Sequence, residues 1–231
     1  TNAILVITES LFSMDSDVPD LRALSDACRE FKATLAVDVA HDLGSMGDDG
    51  AGALGVQSAT SGVDLVMGSF SKTFASNGGF ILTRQQSVRE HLKYFAAPHI
   101  FSNALSPIQA AVVLAALGIV DSPEGNLRRR SLLARVLQLR RSLEAQGFAC
   151  MGSPSPIVPV ILGEEGFGRV VTRSLADAGV IANLVEYPGV PRGTSRLRLQ
   201  VMADHSSDDI GRAVRGIVQA RDEARTLFST T

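Results

Sequence analysis

The stretch "GSFSKTFASNGGF", positions 68–80, sets Lys72 just beyond an apolar run and close to two serines, Ser69 and Ser71. In partly desolvated surroundings a lysine loses proton affinity, and its neutral amine condenses with a carbonyl. The neighbouring hydroxyls, with the bare backbone at Gly78 and Gly79, suit a phosphate cradle that a ligand approaches closely. "AVDVAHD" (36–42) brings Asp38 and His41 to the end of another apolar run, where a carboxylate needs a partner because its burial alone is costly. "ESLFSMDSD" (9–17) offers Ser13, and "SRLRLQ" (195–200) alternates Arg196 with Arg198 on one strand face, fit for bidentate recognition of a carboxylate. Each feature has a plainer reading: an exposed lysine, a loop-capping aspartate with a surface imidazole, cross-strand ion pairs. Together they ask for one ligand with an aldehyde for Lys72, a ring nitrogen for Asp38 and a phosphate for the hydroxyls, leaving Arg198 for a substrate carboxylate. Pyridoxal 5'-phosphate (PLP) has those parts.

The elements that must position these residues alternate between strand and helix. Strands are expected at 4–8, 34–40, 64–70 and 79–83. A helix opens at "DVPDL" with Asp17 as cap and Pro19 near its first turn. Several of the strands are almost wholly apolar, as in a mostly parallel sheet covered on both faces. Asp38 then lies at the carboxyl end of one strand and Lys72 just past that of another, where open α/β sheets gather ligands. "NAILVITES" starts as such a strand with no lead-in, so the chain is expected to begin inside a domain. From about Ser106 come a helix, a longer helix from Pro123, strands at 156–162, 180–186 and 196–201, a helix around 168–179 and a final helix. This describes a smaller α+β unit. The expected division is 1–125 for the C-terminal part of a large domain and 126–231 for a small domain. Leu127, Leu132, Leu133 and Val136 supply the buried face of the second of these helices, and "RRR" (128–130) reads as its wet side.

With 45% hydrophobic and 20% charged residues, the 231-residue chain affords a substantial core. Its net charge of −2 gives no electrostatic case for nucleic acid. No apolar run approaches the ~20 residues of a membrane span, and "AAVVLAALGIV" (110–120) is expected to be a buried helix. Cys28 and Cys150 read as free thiols of a reducing compartment, hence a cytoplasmic protein. No metal site is expected. A nicotinamide-binding fold is disfavoured because no G-x-G-x-x-G joins a first strand to a helix.

Five segments in order resemble the α-oxoamine synthase family of fold type I PLP-dependent enzymes. "ESLFSMDSD" is similar to that family's E-x-[VL]-F-S-M-D-G-D, and "DVAHDLGSMGDDGAG" to D-[DE]-A-H-x-x-G-x-x-G-x-x-G-x-G. "GSFSKTFASNGGF" matches [GT]-[TS]-[FL]-[GS]-K with its trailing glycines, and "FSNALSP" and "VPRGTSRLRLQVMADH" match later landmarks. The resemblance implies that Lys72 forms the Schiff base, that Asp38 pairs with the pyridinium nitrogen and that His41 bonds the ring oxygen. It further implies cofactor contacts from Ser13 and Ser69, and a phosphate contact from Ser102 in the other subunit of a homodimer with shared sites. Arg198 would take the amino-acid carboxylate. The implied reaction is decarboxylative condensation of a small amino acid with an acyl thioester, on coenzyme A or a carrier protein, giving an α-amino ketone. An aminotransferase or another carbon–carbon bond enzyme of the same fold would share Lys72 and Asp38, and a non-catalytic partner subunit would be marked by loss of the lysine. Two departures from the pattern are Val39, where an acidic residue is usual, and Asp42, where a small one is. The family's upstream portion, which supplies a ring-stacking aromatic residue and further phosphate contacts, has no counterpart in these residues.

Overall fold

The computed structural model describes residues 3–229, which divide into two compact units. The first comprises residues up to Leu11 and Val18–Arg129; the second comprises Phe12–Asp17 and the residues from Arg130 on.

In the first unit, β1 (Leu5–Glu9), β2 (Thr34–Asp38), β3 (Leu65–Ser69) and β4 (Gly79–Thr83) form a sheet in that spatial order. The β1–β2 and β2–β3 pairs are parallel and β3–β4 is antiparallel. Helix α1 (Leu21–Glu30) connects β1 to β2 and buries Leu21 and Cys28. Its cap is Asp20, whose Oδ1 accepts from Ala23 N at 2.9 Å, not Asp17 as the sequence suggested. Pro19 precedes the cap, and the Asp17 carbonyl accepts from Phe12 N at 2.9 Å within the second unit. A short helix α2 (Gly52–Val56) follows the loop after β2. Then come α3 (Gln86–Phe95), α4 (Ala97–Ile100) and α5 (Pro107–Val120). Helix α5 opens on a capping box: Ser106 Oγ accepts from Gln109 N, and Gln109 Oε1 from Ser106 N.

Within this sheet, burial on both faces is confined to β2, where Leu35 and Val37 are buried on one face and Ala36 on the other. The sheet's outer strands behave differently from the expectation. Ile7 on β1 is 67% exposed and Leu82 on β4 is 58% exposed, because each is an edge of this sheet and lacks a neighbour on one side. Helix α5 is likewise not the buried helix expected. It is apolar all round, so the packing of one side covers Val113 and leaves Ile108 and Leu114 exposed.

The second unit contains β5 (Ile157–Gly163), β6 (Asn183–Val185) and β7 (Ser195–Gln200) in the antiparallel order β5-β7-β6. Its core joins the residues of α6 (Pro123–Ala145) beyond Arg130 with α7 (Glu165–Asp177) and α8 (Ser207–Ser229) around Leu143, Val160, Leu175, Leu197 and Ile217. On α6, Leu132 and Val136 are buried as expected, whereas Leu127 and Leu133 are exposed. The "RRR" run is not uniformly wet either. Arg129 is buried, and its guanidinium donates to the carbonyls of Val120 and Asp48 and to Asn126 Oδ1, fastening the first turns of α6 to the glycine-rich loop of the first unit.

Candidate functional site

The parallel β2–β3 register aligns Asp38 with Met67, and Val39 N extends the ladder by donating to Met67 O at 2.8 Å. Chains leaving β2 and β3 therefore emerge at the same edge of the sheet. Asp38 is half-buried there. Its Oδ1 accepts from Ala40 N at 2.9 Å, closing a tight turn, while Oδ2 takes no hydrogen bond from the described residues. His41 is half-buried in the loop that follows.

Between β3 and β4 runs the loop that carries Lys72. Phe74 is buried edge-on against Phe70, and Ser76 Oγ donates to Gln109 O at 3.1 Å. The loop is closed by Phe70 N donating to Gly78 O and Ser76 N to Phe70 O. Ser69 and Ser71 share a 2.7 Å hydroxyl–hydroxyl bond, and Ser71 N also donates to Ser69 Oγ. The two loops touch: a Cβ on Gly44, whose φ is +82°, would lie 2.7 Å from Thr73 Cγ2, next to Lys72. The first unit thus brings Asp38, His41, Ser69 and Lys72 to one end of its sheet.

Two expectations about this loop change. Lys72 is exposed rather than in partly desolvated surroundings. The glycines answer to the chain's own backbone. Gly79 pairs with Ser69 across the hairpin, where a Cβ would lie 2.6 Å from Gly68 O, and Gly78 adopts φ +86°. Ser102 is exposed, and its hydroxyl donates to Pro98 O.

Ser13 and Arg198 belong to the second unit. Arg198 is half-buried on β7 and its Nε donates to Ser13 O at 2.6 Å. Two residues earlier, Arg196 is 3% exposed and pairs with the Asp15 carboxylate. The alternation of the two arginines therefore serves the segment 12–17, rather than cross-strand ion pairs. Burial lowers the proton affinity of both guanidinium groups. Ser16 completes the attachment of the segment. Its hydroxyl bonds Ser153 O and Ser155 Oγ, and Gly152 lies so close that a Cβ would fall 2.1 Å from Asp15 O.

Sequence reasoning gave no role to two fully buried polar residues, Ser10 and Asp42. Asp42 Oδ1 lies 2.7 Å from Ser10 Oγ, and Oδ2 accepts from Ala53 N at 2.7 Å. Desolvation raises the Asp42 carboxyl above its ordinary range, partly offset by hydrogen bonds from Ala53 and Ser10. The only signal in the sequence was the aspartate's presence after His41, where a small residue was expected.

The donor set suits a phosphorylated pyridine aldehyde: an amine, a carboxylate with a free oxygen, an imidazole and a hydroxyl at one sheet edge. The family model for aminotransferase class I and II matches residues 1–217. The 8-amino-7-oxononanoate synthase of Geobacter metallireducens is 39% identical over 210 residues, covering 91% of this chain and 54% of that protein. Its counterpart from Geobacter sulfurreducens is 37% identical over 220 residues, covering 95% and 56%. Among solved structures, serine palmitoyltransferase from S. paucimobilis with a bound PLP–myriocin aldimine superposes with a TM-score of 0.91 at 26% identity, covering 97% of this chain and 56% of that one. The 8-amino-7-oxononanoate synthase of Francisella tularensis, at TM-score 0.80 and 21% identity, shares the fold over 95% of this chain and 63% of that one. The chain spans about half the length of the curated relatives it matches. By the matched family model and by these relatives, the chain belongs to the aminotransferase class I and II family, on its α-oxoamine synthase branch, and has the fold type I architecture.

Proposed function

We propose that this chain carries the Schiff-base lysine and the ring-nitrogen acid of a PLP-dependent acyltransferase. The reaction is decarboxylative condensation of a small amino acid with an acyl thioester, giving an α-amino ketone. The observation that carries the reading is the placement of Asp38 at the carboxyl end of β2 and of Lys72 just beyond that of the adjacent parallel strand β3. Relatives named 8-amino-7-oxononanoate synthase and a serine palmitoyltransferase neighbour support the reaction class.

When bound, PLP supplies an electron sink for negative charge at the amino acid's α-carbon. The Lys72 amine would hold the cofactor through its aldehyde group, and its Nζ would be the group to accept the α-proton. Asp38 would sit beside the ring nitrogen and hold a proton there, its Oδ1 held in place by Ala40 N. His41 would bond the ring oxygen, Ser13 would contact the cofactor and Ser69 would offer its hydroxyl to the phosphate. Arg198 binds the amino acid's carboxylate through its Nη groups, which make no hydrogen bond to the described residues, while Nε is engaged by Ser13 O. Ser102, exposed in this chain, serves the phosphate of a second copy in a homodimer. The free thiols of Cys28 and Cys150 support a cytoplasmic location, and no single helix among the described residues is long and apolar enough to cross a membrane.

The test supplies PLP, an acyl-CoA and glycine, alanine or serine labelled at the carboxyl carbon. The proposal requires thioester-dependent release of labelled CO₂ with formation of an amino ketone. Conversion of the amino acid to a 2-oxo acid that retains the label would establish transamination instead.

A further inference from the structure

The buried pair Ser10 and Asp42 lies directly behind Asp38. Ser10 is the first residue after β1, and its backbone N donates to Asp38 O at 2.8 Å. Its hydroxyl lies within reach of two acceptors, Asp38 O at 3.0 Å and Asp42 Oδ1 at 2.7 Å. The other Asp42 oxygen receives Ala53 N from α2, and Gly52 leaves room for it, since a Cβ there would lie 2.6 Å from Asp42 Oδ2. The first residue after β1 and the start of α2 thus meet on one fully buried carboxyl group, and Ser10 joins it to the last residue of β2.

From this geometry we propose that Asp42 and Ser10 are positioning residues that fix the carboxyl end of β2, and with it the Asp38 carboxylate, in the cofactor site. The inference rests on the role given to Asp38 above.

A serine hydroxyl has a single hydrogen, so it cannot serve both acceptors at once. With Asp42 protonated, the carboxyl O–H donates to Ser10 Oγ, the Ser10 hydrogen goes to Asp38 O, and all three groups are satisfied. With Asp42 ionised, the Ser10 hydrogen turns to Asp42 Oδ1, and Asp38 O keeps only the Ser10 backbone N–H. In both arrangements Ser10 links the Asp42 carboxyl group to the end of β2. Asparagine at position 42 can take the carboxyl's place in the first: the amide NH₂ donates to Ser10 Oγ and the amide oxygen accepts from Ala53 N. Alanine cannot, and it leaves Ala53 N and Ser10 buried with a lost partner.

The experiment compares the unsubstituted protein with Ser10→Ala, Asp42→Ala, Asp42→Asn and Asp38→Asn. Each is measured for PLP dissociation constant by absorbance titration and for cooperative thermal melting, and those that retain Asp38 for its ¹³C carboxyl shift without cofactor. Ser10→Ala and Asp42→Ala are expected to displace the Asp38 resonance and weaken PLP binding about five- to tenfold, the size of one lost hydrogen bond. Asp42→Asn is expected to retain the native shift and affinity. If Asp42→Ala does not fold, Ser10→Ala decides. An Asp38 resonance and PLP affinity unchanged in a folded Ser10→Ala protein would overturn the proposal, as would a folded Asp42→Asn that shows the loss expected of alanine. An unaltered affinity in Asp38→Asn would instead count against the cofactor role of Asp38, and the cofactor-free carboxyl shift would still decide whether the relay holds it.

Discussion

The role proposed for Arg198, binding the substrate carboxylate, rests on what surrounds its side chain. Half-buried on β7, it loses part of its hydration, and burial lowers its proton affinity. The carbonyl of Ser13 orients Nε and leaves the flat Nη edge for a planar anion. Lysine at this position keeps the charge but loses the two-pronged geometry. Arg198→Lys should therefore raise KM for the amino acid by about 10- to 100-fold, the loss of a charge-assisted hydrogen bond, with the visible band of the bound cofactor unchanged. Steady-state kinetics alongside absorbance spectra check this, and an unaltered KM would remove Arg198 from substrate binding. The alternating arginines were visible in the sequence because strand period places them on one face. That Arg196 would be spent on Asp15 was not visible, since 181 residues separate the partners. Ser10 and Asp42 were hidden for the same reason: a buried polar pair is recognisable only once its chain separation is closed by the fold.

Among the elements, legibility followed local rules. The helix from Pro107 opens on the Ser106 box because serine and glutamine three apart satisfy each other's backbone donors. At α1 the same reasoning chose the wrong aspartate, Asp17 being drawn into the segment that packs with the second unit. Burial was read less well. Apolar composition told that β1, β4 and α5 avoid water, but not whether this chain supplies the cover. Helix α8 offers a stability test. Ser206 and Asp209 bond reciprocally at its start: Asp209 Oδ2 accepts from Ser206 N and Oγ, and Ser206 Oγ accepts from Asp209 N. These bonds from Ser206, with Arg212 adding less, lower the Asp209 carboxyl from 3.8 to about 2. A carboxyl depressed in the folded state stabilises fully above its ordinary value, and the contribution is lost as pH falls toward 2. Ser206→Ala should cost about 1 kcal/mol in urea unfolding at neutral pH. It should also flatten the decline in stability between about pH 4 and pH 2. A decline as steep as in the unsubstituted protein would show that the box does not hold Asp209 down.

At the scale of the molecule, a mostly parallel sheet followed by a smaller α+β unit was predictable from the order of strands and helices, and the family likeness agrees with it. The sheet does the chemical positioning. Parallel neighbours release their chains at one edge, so two residues 34 positions apart in sequence, Asp38 and Lys72, reach the same end without any local signal linking them. The fold also distinguishes Lys72 from the other lysines, Lys32 and Lys93: Lys32 follows α1, and Lys93 lies on α3 bonded to Glu90. Borohydride reduction of the protein equilibrated with PLP, followed by digestion and mass spectrometry, tests the central assignment most directly. The account predicts a stable phosphopyridoxyl adduct on Lys72 at PLP concentrations that leave Lys32 and Lys93 unmodified. An adduct distributed over all three lysines, or one absent from Lys72, would contradict it.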